Sequence, residues 1–367
     1  MSSRIFWHSN HPSVGTGYGS QSAQVLRRLK RRGHDLAIHA NYGAPPGMSK
    51  WNGIPVYPAG FEQHSQDVIF AHWKHWEAGK GGTMVTLYDV WVLKNPNLKQ
   101  VPILAWTPVD HMQVTPEVAN WLAQENVTPL AMSKHGQEAM ARAGIDSHYV
   151  PHALESHWKP TPAEVDGFPG RFVVTMVAAN KGVLPSRKSF GENILAFSIF
   201  AKNHPEALLY LHTESKPIYG IDLPALLKAC AISPDQVVFA DQYHMRMGIP
   251  DKTMAAIYTR TDVLLACSAG EGFGLPVLEA QACGTRVVVS NFSAQSELVF
   301  DGVAVQTQPQ WNPAQLSWFC TPLVHSIVEG LEWAFQQGGG HSQEAVDGAK
   351  QYDADHVFKT HWQPILP

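Results

Sequence analysis

The run Val263-Leu264-Leu265-Ala266-Cys267 is short and apolar, with the character of a strand buried on both faces of a sheet. It leads into Ala269-Gly270-Glu271-Gly272-Phe273-Gly274-Leu275-Pro276-Val277-Leu278-Glu279. Next come Ala280-Gln281-Ala282-Cys283-Gly284, which read as a helix end, and a second buried strand, Arg286-Val287-Val288-Val289-Ser290. Two such strands joined through one helix pair in parallel. The loop therefore lies where a parallel strand ends and a helix begins, the edge at which open α/β sheets bind ligands.

The chemistry of the loop suits an anion carrying hydroxyl groups. Pro276 fits a first helical turn, where its missing N–H costs nothing. Glycines 270, 272 and 274 allow positive φ and close approach of the backbone to a ligand. The amides of Phe273, Gly274 and Leu275, with those of Val277 and Leu278, can point at an anion with the helix dipole behind them. Glu279 is expected in the first turn on the same side, and a carboxylate there suits sugar or ribose hydroxyls. Two acids at this spacing also fit an ordinary strand–loop–helix connection. The full string with its flanks is more specific.

That string resembles the E-x7-E signature of the retaining family-four glycosyltransferases (glycosyltransferase group 1), of a type common in bacteria and phages. The resemblance implies the α/β GT-B fold, two Rossmann-like doubly wound domains facing across a cleft. It implies that Glu271 contacts the donor sugar and Glu279 the nucleotide ribose. The amides of Gly272, Phe273, Gly274 and Leu275 then fall to the sugar phosphate.

Alternation of strands and helices along the chain supports two doubly wound halves. The chain has 367 residues, 44% hydrophobic and 16% charged, enough for two globular domains. In the first half, strands are expected at 5–8, 36–40, 68–71, 84–88, 103–106, 129–132 and 147–150, with helices at 20–32, 116–123 and 134–143. Residues 1–153 form this acceptor domain. A Pro- and Gly-rich stretch at 154–170 is expected as a linker. The donor domain spans 171–345, with strands at 171–177, 207–212 and 237–240 and helices at 192–202, 223–229 and 252–259. The tail 346–367 crosses back to the first domain if the resemblance holds.

Other candidate residues follow strand ends. Gly15-Thr16-Gly17-Tyr18-Gly19 sits after the first strand, the usual position of a phosphate cradle. It is not G-x-G-x-x-G, and no acid ends the second strand near Asn41, so a nicotinamide cofactor is not expected. In the resembled family a loop here reaches the donor diphosphate, which points to Gly15, Thr16 and Gly17, with Tyr18 toward the acceptor. A tight turn for strand–helix packing is the plainer alternative.

Arg187 and Lys188 close the loop Ala179-Asn180-Lys181-Gly182-Val183-Leu184-Pro185-Ser186. Two fixed cations there can neutralise a diphosphate as its charge grows. The family places an arginine and a lysine about five residues apart in this loop. Lys188 matches the lysine, Asn180 stands where the arginine is expected, and Arg187 is the candidate substitute. Asp110 and His111 follow the strand at 103–106, and His111 matches the family histidine at the donor sugar. The catalytic set is thus His111, Glu271, Lys188 and Arg187, with Asp110 on the acceptor side.

Several features set limits. His72 and His75 have an i, i+3 spacing but no evident third ligand, so no metal is expected. Asp353-Ala354-Asp355 reads as a solvated acidic turn. No cofactor is expected beyond the donor substrate, a UDP- or GDP-sugar. The net charge of −4 supplies no global attraction for nucleic acid, although Arg27-Arg28-Leu29-Lys30-Arg31-Arg32 offers a local basic patch for nucleic acid or a membrane surface, or else favourable charge at a helix C-terminus. Cysteines 230, 267, 283 and 320 show no metal or disulfide spacing. There is no signal-peptide pattern and no apolar run of membrane-spanning length. These point to the cytoplasm of a bacterium or phage-infected host.

The expected function is retaining, metal-independent transfer of a sugar, a hexose by expectation, to a glycan, lipid, protein or modified DNA base. The alternatives are an epimerase or phosphorylase on the same fold, or a non-catalytic sugar-nucleotide-binding subunit.

Overall fold

The computed structural model describes residues 3–182 and 186–367. Val183, Leu184 and Pro185 of the basic loop lie outside the described residues. The chain forms two compact units, one of Met1–Ala153 with Ala354–Pro367 and the other of Leu154–Asp353.

The first unit runs β1 (Arg4–Ser9), α1 (Gly17–Arg31), β2 (Asp35–Ala40), β3 (Ser49–Trp51), β4 (Ile54–Tyr57), α2 (Ile69–Glu77), β5 (Thr83–Leu87) and β6 (Ile103–Thr107). It continues through α3 (Pro116–Leu122), β7 (Val127–Ala131), α4 (Lys134–Arg142) and β8 (His148–Tyr149). The sheet order is β3-β4-β2-β1-β5-β6-β7-β8, parallel apart from the β3–β4 pair. Strand order reverses between β1 and β5, so the loops after these strands flank a topological switch point.

The second unit has β9 (Phe172–Val177), α5 (Phe190–Ala201), β10 (Ala207–His212), α6 (Leu223–Ala229), β11 (Val237–Phe239), α7 (Gln242–Met247), α8 (Asp251–Thr259) and β12 (Val263–Ala266). There follow α9 (Leu275–Ala282), β13 (Arg286–Ser290), β14 (Gly302–Val305), a hairpin of β15 (Thr307–Asn312) and β16 (Ser317–Pro322), α10 (Val324–Gln336) and α11 (Gln343–Ala349). Its parallel sheet has the order β11-β10-β9-β12-β13-β14, the 3-2-1-4-5-6 pattern of a dinucleotide-binding fold. β9 and β12, at its switch point, carry the almost wholly buried runs that the sequence pattern requires.

A short helix α12 (Ala354–Val357) returns the chain to the first unit. Trp362 is then fully buried, its ring 5.8 Å from that of Trp7 and 4.9 Å from that of Trp106. Of the tail expected at 346–367, the part through Asp353 stays with the second unit. Residues 154–170 are packed on that unit as well: Thr161 N donates to Thr259 Oγ1 at 2.9 Å, and Phe168 lies edge-on to Tyr210.

Two local expectations need correction. Residues 68–71 open α2, not a strand, because the apolar run continues at helical spacing. Ile69, Trp73 and Trp76 are buried at i, i+4 and i+7. The β3–β4 hairpin was not foreseen, yet its turn is Asn52-Gly53 with φ of 48° and 75° at the two residues. That dipeptide is the standard signal for a two-residue turn of this kind.

Candidate active site

In the second unit the loops after β9 and β12 bring three charged side chains together. Arg187 Nη1 donates to Glu271 Oε2 at 2.9 Å and to the carbonyl of Gly270 at 2.7 Å. Lys188 Nζ donates to the other carboxylate oxygen. The Glu271 side chain is 12% exposed and that of Lys188 17%, whereas Arg187 is 42% exposed. Burial pushes the Glu271 carboxyl up, but Arg187 and Lys188, with hydrogen bonds from Lys188 and Ser268, outweigh it and bring it to about 2. Glu271 is therefore a carboxylate throughout the physiological range.

A frame of uncharged side chains fixes this triad, and none of its members was read from the sequence. Asn193, fully buried on α5, donates through one amide nitrogen to the carbonyls of Lys188, Ser189 and Cys267 at 3.2, 2.8 and 3.0 Å. It therefore joins the two loops. Glu271 N donates to Ser293 Oγ at 2.9 Å, and buried Gln295 donates to Ser268 O at 2.9 Å. The one available signal was an amide residue, Asn193, at the head of the largely apolar run of α5, since buried amides are kept only where they are hydrogen-bonded.

The loop then turns into α9 at Gly274, whose φ is 106°. Among the described residues it is the member of this run in the left-handed region, so the positive φ expected also of Gly270 and Gly272 is not used. Val277 N and Leu278 N both donate to Gly274 O, at 3.0 and 3.3 Å. This corrects the expected cradle: with those amides spent inside the helix, it narrows to Gly272, Phe273, Gly274 and Leu275. The Phe273 side chain is buried with its ring edge-on to Tyr352.

Glu279 lies in the second turn of α9, not the first as expected, because the helix begins at Leu275. Tyr258 Oη donates to its Oε2 at 3.2 Å. Burial raises its carboxyl to about 7, against the lowering effect of the Tyr258 hydrogen bond, with negative Asp251 adding to the rise. Two acids eight positions apart thus have opposite protonation behaviour, set by whether a cation faces them.

Asn180 is held by backbone groups of its own unit. Its side chain is buried and spent on the chain's own backbone, donating to Glu214 O at 3.0 Å and Ile221 O at 2.7 Å and accepting from Ile221 N at 2.9 Å. It fastens the loop after β10 and has no cationic role to take over from an arginine.

In the first unit, the loop after β1 is shorter than expected. Thr16 is the N-cap of α1, accepting from Gly19 N at 3.1 Å and from Asn10 Nδ2 at 3.0 Å. Gly17, Tyr18 and Gly19 are already helical. A Cβ on Gly19 would stand 2.3 Å from Val14 O, so glycine is required there for close packing of loop on helix. Tyr18 Oη lies 3.4 Å from Asp89 Oδ2, after β5 on the other side of the switch point.

Asp110 is half-buried and His111 buried in the loop after β6. Burial lowers the His111 imidazole below its ordinary value, more than neighbouring Asp110 raises it, leaving it neutral near pH 7. The carbonyl of His111 lies 2.8 Å from His135 Nε2. His72 and His75 are packing residues on α2. His75 Nδ1 is 2.7 Å from Tyr57 Oη, and the His72 ring lies against His39 and Tyr57.

The basic run at the end of α1 is largely committed inside its own unit. Arg28 is buried and bonds Asp355 Oδ1 at 2.8 Å, with Arg31 at 3.6 Å from the same oxygen. Arg27 stacks over Trp51, Arg32 over Phe358, and Lys30 donates to Asn52 O. Asp355 is therefore an ion-pair partner and not simply a solvated turn acid. Among the described residues, no helix is long and apolar enough to cross a membrane.

A family model described as glycosyl transferases group 1 matches residues 235–321, from just before β11, through Glu271 and Glu279, into β16. D-inositol 3-phosphate glycosyltransferase of Arthrobacter sp. (strain FB24) is 38% identical over 151 residues, which cover 39% of this chain and 34% of that one. O-antigen chain mannosyltransferase B of Escherichia coli is 42% identical over 53 residues, 14% of each chain. These matches span about a third or less of the curated relatives. Sucrose-phosphate synthase from Thermosynechococcus elongatus superposes with a TM-score of 0.74 at 15% identity, over 97% of this chain and 96% of that one. Anabaena HepE in complex with UDP-glucose gives 0.69 at 15% identity, over 97% of each chain. At such identity the likeness shows the fold. Residues 235–321 thus match the glycosyl transferases group 1 model, and the chain as a whole has the GT-B fold of two Rossmann-like units.

Proposed function

We propose that this protein is a retaining glycosyltransferase that takes a hexose from a UDP- or GDP-sugar. The observation that carries the reading is the convergence of Arg187 and Lys188 on Glu271 at the switch point of the second sheet. With the donor bound, the cations turn to its diphosphate, together with the amides of Gly272, Phe273, Gly274 and Leu275. Glu271 accepts hydrogen bonds from the sugar hydroxyls, and Glu279 meets the ribose. Anabaena HepE, of the same fold, is described with UDP-glucose bound, which favours a nucleotide-sugar donor here.

In the reaction, the acceptor oxygen forms a bond to the anomeric carbon as the bond from that carbon to the diphosphate oxygen breaks. The diphosphate leaves with the electron pair and takes up the acceptor proton. Negative charge grows on the leaving phosphate, where Lys188 and Arg187 stabilise it most. No side-chain nucleophile is assigned, so the acceptor attacks from the face the diphosphate leaves, and configuration is kept. Two fixed cations supply the charge that a divalent metal provides in other transferases. Of the first unit's residues, His111 is assigned a catalytic role, Gly15, Thr16 and Gly17 donor contact, and Tyr18 and Asp110 the acceptor side.

The test is a panel of UDP-, GDP- and ADP-sugars with and without EDTA, read by thermal shift and released nucleotide. The anomeric configuration of any transfer product is read by NMR. Stabilisation by a nucleotide sugar and EDTA-insensitive nucleotide release are expected. If no nucleotide sugar binds, the proposal fails.

A further inference from the structure

The β15–β16 hairpin stands apart from the parallel sheet, and its composition is unusual. Residues 302–322 contain no Asp, Glu, Lys, Arg or His. They carry instead Gln306, Gln308, Gln310, Asn312 and Gln315, with two tryptophans directly opposite each other across the strands, Trp311 and Trp318. The indole rings meet at 5.2 Å with an interplanar angle of 65°. Such a cross-strand aromatic pair stabilises a two-stranded hairpin that would otherwise be marginal. That role does not need both rings in water, yet Trp311 is 43% and Trp318 38% exposed, with Leu316 at the turn 59% exposed.

The hairpin is fastened to the candidate donor site. Cys320 N donates to Ala269 O at 3.0 Å, and Ala269 is two residues before Glu271. Trp318 is two residues before Cys320. Following that path, the Trp318 backbone lies at most about 20 Å from that of Glu271, both within the second unit. An exposed aromatic pair within about 20 Å of the proposed donor site is placed to meet a ligand of matching character.

We propose that the β15–β16 hairpin is a docking element for a neutral saccharide acceptor chain, with Trp311 and Trp318 as its stacking platform. The inference rests on the glycosyltransferase reading and supplies the acceptor class that reading leaves open. The apolar C–H face of a pyranose packs on an indole, and the Gln and Asn amides donate to and accept from its hydroxyls. The absence of any cation over residues 302–322 speaks against nucleic acid or anionic lipid, each of which requires Lys or Arg to meet phosphate. The absence of any anion speaks against a basic peptide.

The test compares the full chain with Trp311→Ala/Trp318→Ala and with Trp311→Phe/Trp318→Phe, which keeps an aromatic pair in the hairpin. Malto-, manno-, cello- and chitohexaose are titrated, with binding read by calorimetry and intrinsic fluorescence, and donor binding and hydrolysis are followed in parallel. At least one hexaose should bind the native chain with a fluorescence change. The Ala pair should weaken binding by about tenfold or more while the Phe pair retains most of it. Donor binding and hydrolysis should stay unchanged in both variants. The proposal is overturned if no hexaose binds, if the Ala pair binds as the native chain does, or if the Ala pair also loses donor binding. It is equally overturned if the hairpin instead binds oligo(dT), anionic vesicles or a second copy of the chain. Failure of the native chain to bind any donor would sink the transferase reading and leave the saccharide titration to be judged separately.

Discussion

Arg187 and Glu271 stand 84 residues apart in sequence and 2.9 Å apart in space, with Lys188 on the opposite carboxylate oxygen. The contact is a clasp between the ends of the two central strands of the second sheet. It holds a carboxylate and two cations at the switch point of that sheet, the edge at which such sheets bind ligands.

Removing Lys188 tests the electrostatic role. Lys188→Ala is expected to lower the transfer rate by about 10²–10³-fold, the loss typical of one preorganised charge-stabilising donor. Donor affinity should fall less than the rate. The measurement is initial-rate kinetics on transfer, with equal loss in KM alone counting against a leaving-group role.

The two acids should act oppositely on stability as pH changes. Glu271 has a folded value of about 2 against an ordinary 4.5, so its contribution is present above pH 4.5 and lost as pH falls toward 2. Glu279, raised to about 7, favours the folded state most below pH 4.5, and that advantage is lost as pH rises through 7. Glu279→Gln should therefore stabilise the protein at pH 8 relative to pH 5, on the order of 2 kcal/mol. Urea melts at the two pH values decide this, and an equal effect at both would contradict it.

Asn180 should prove structural. Asn180→Ala strips three hydrogen bonds from the loop between Glu214 and Ile221, at a cost of about 2 kcal/mol. Chemical denaturation checks the cost. If the variant keeps full stability but loses donor binding, Asn180 belongs to the site after all.

Gly19 offers a test in the first unit. An alanine Cβ there would collide with Val14 O at 2.3 Å and crowd His11 O at 3.1 Å. Both are backbone atoms, so the loop after β1 must shift, and Gly19→Ala should cost about 1–3 kcal/mol. A matched thermal melt of Gly15→Ala, whose Cβ would meet nothing within 4 Å, is the control and should be nearly silent.

Much of this architecture could be read from local pattern. The runs 172–177, 263–266 and 286–290 are apolar because both faces of those strands are covered, and that signal needs no tertiary knowledge. The meeting of Arg187, Lys188 and Glu271 was legible only through resemblance, since nothing in spacing brings loops so far apart in sequence together. Asn193, Ser293 and Gln295 escaped notice because their amides and hydroxyl serve carbonyls and amides distant in sequence. Residues 68–71 misled because four apolar residues in a row fit a buried strand and a helix start equally. Trp73 and Trp76, a few positions on, decide between them. Asn180 shows a different limit: position in a loop says nothing of how many backbone partners a side chain has already taken.

The chain leaves its first unit at Ala153 and re-enters it at Ala354, and the two crossings lie side by side, with Leu154 N donating to Tyr352 O at 2.8 Å and Leu154 bridging Asp353. The second unit is thus an insertion held at both ends. During synthesis it can close on itself before Trp362 exists to fill the space between Trp7 and Trp106. The first unit, although made first, is the last to complete its core. A nick in either crossing would leave the second unit covalently attached to one segment of the first through the other.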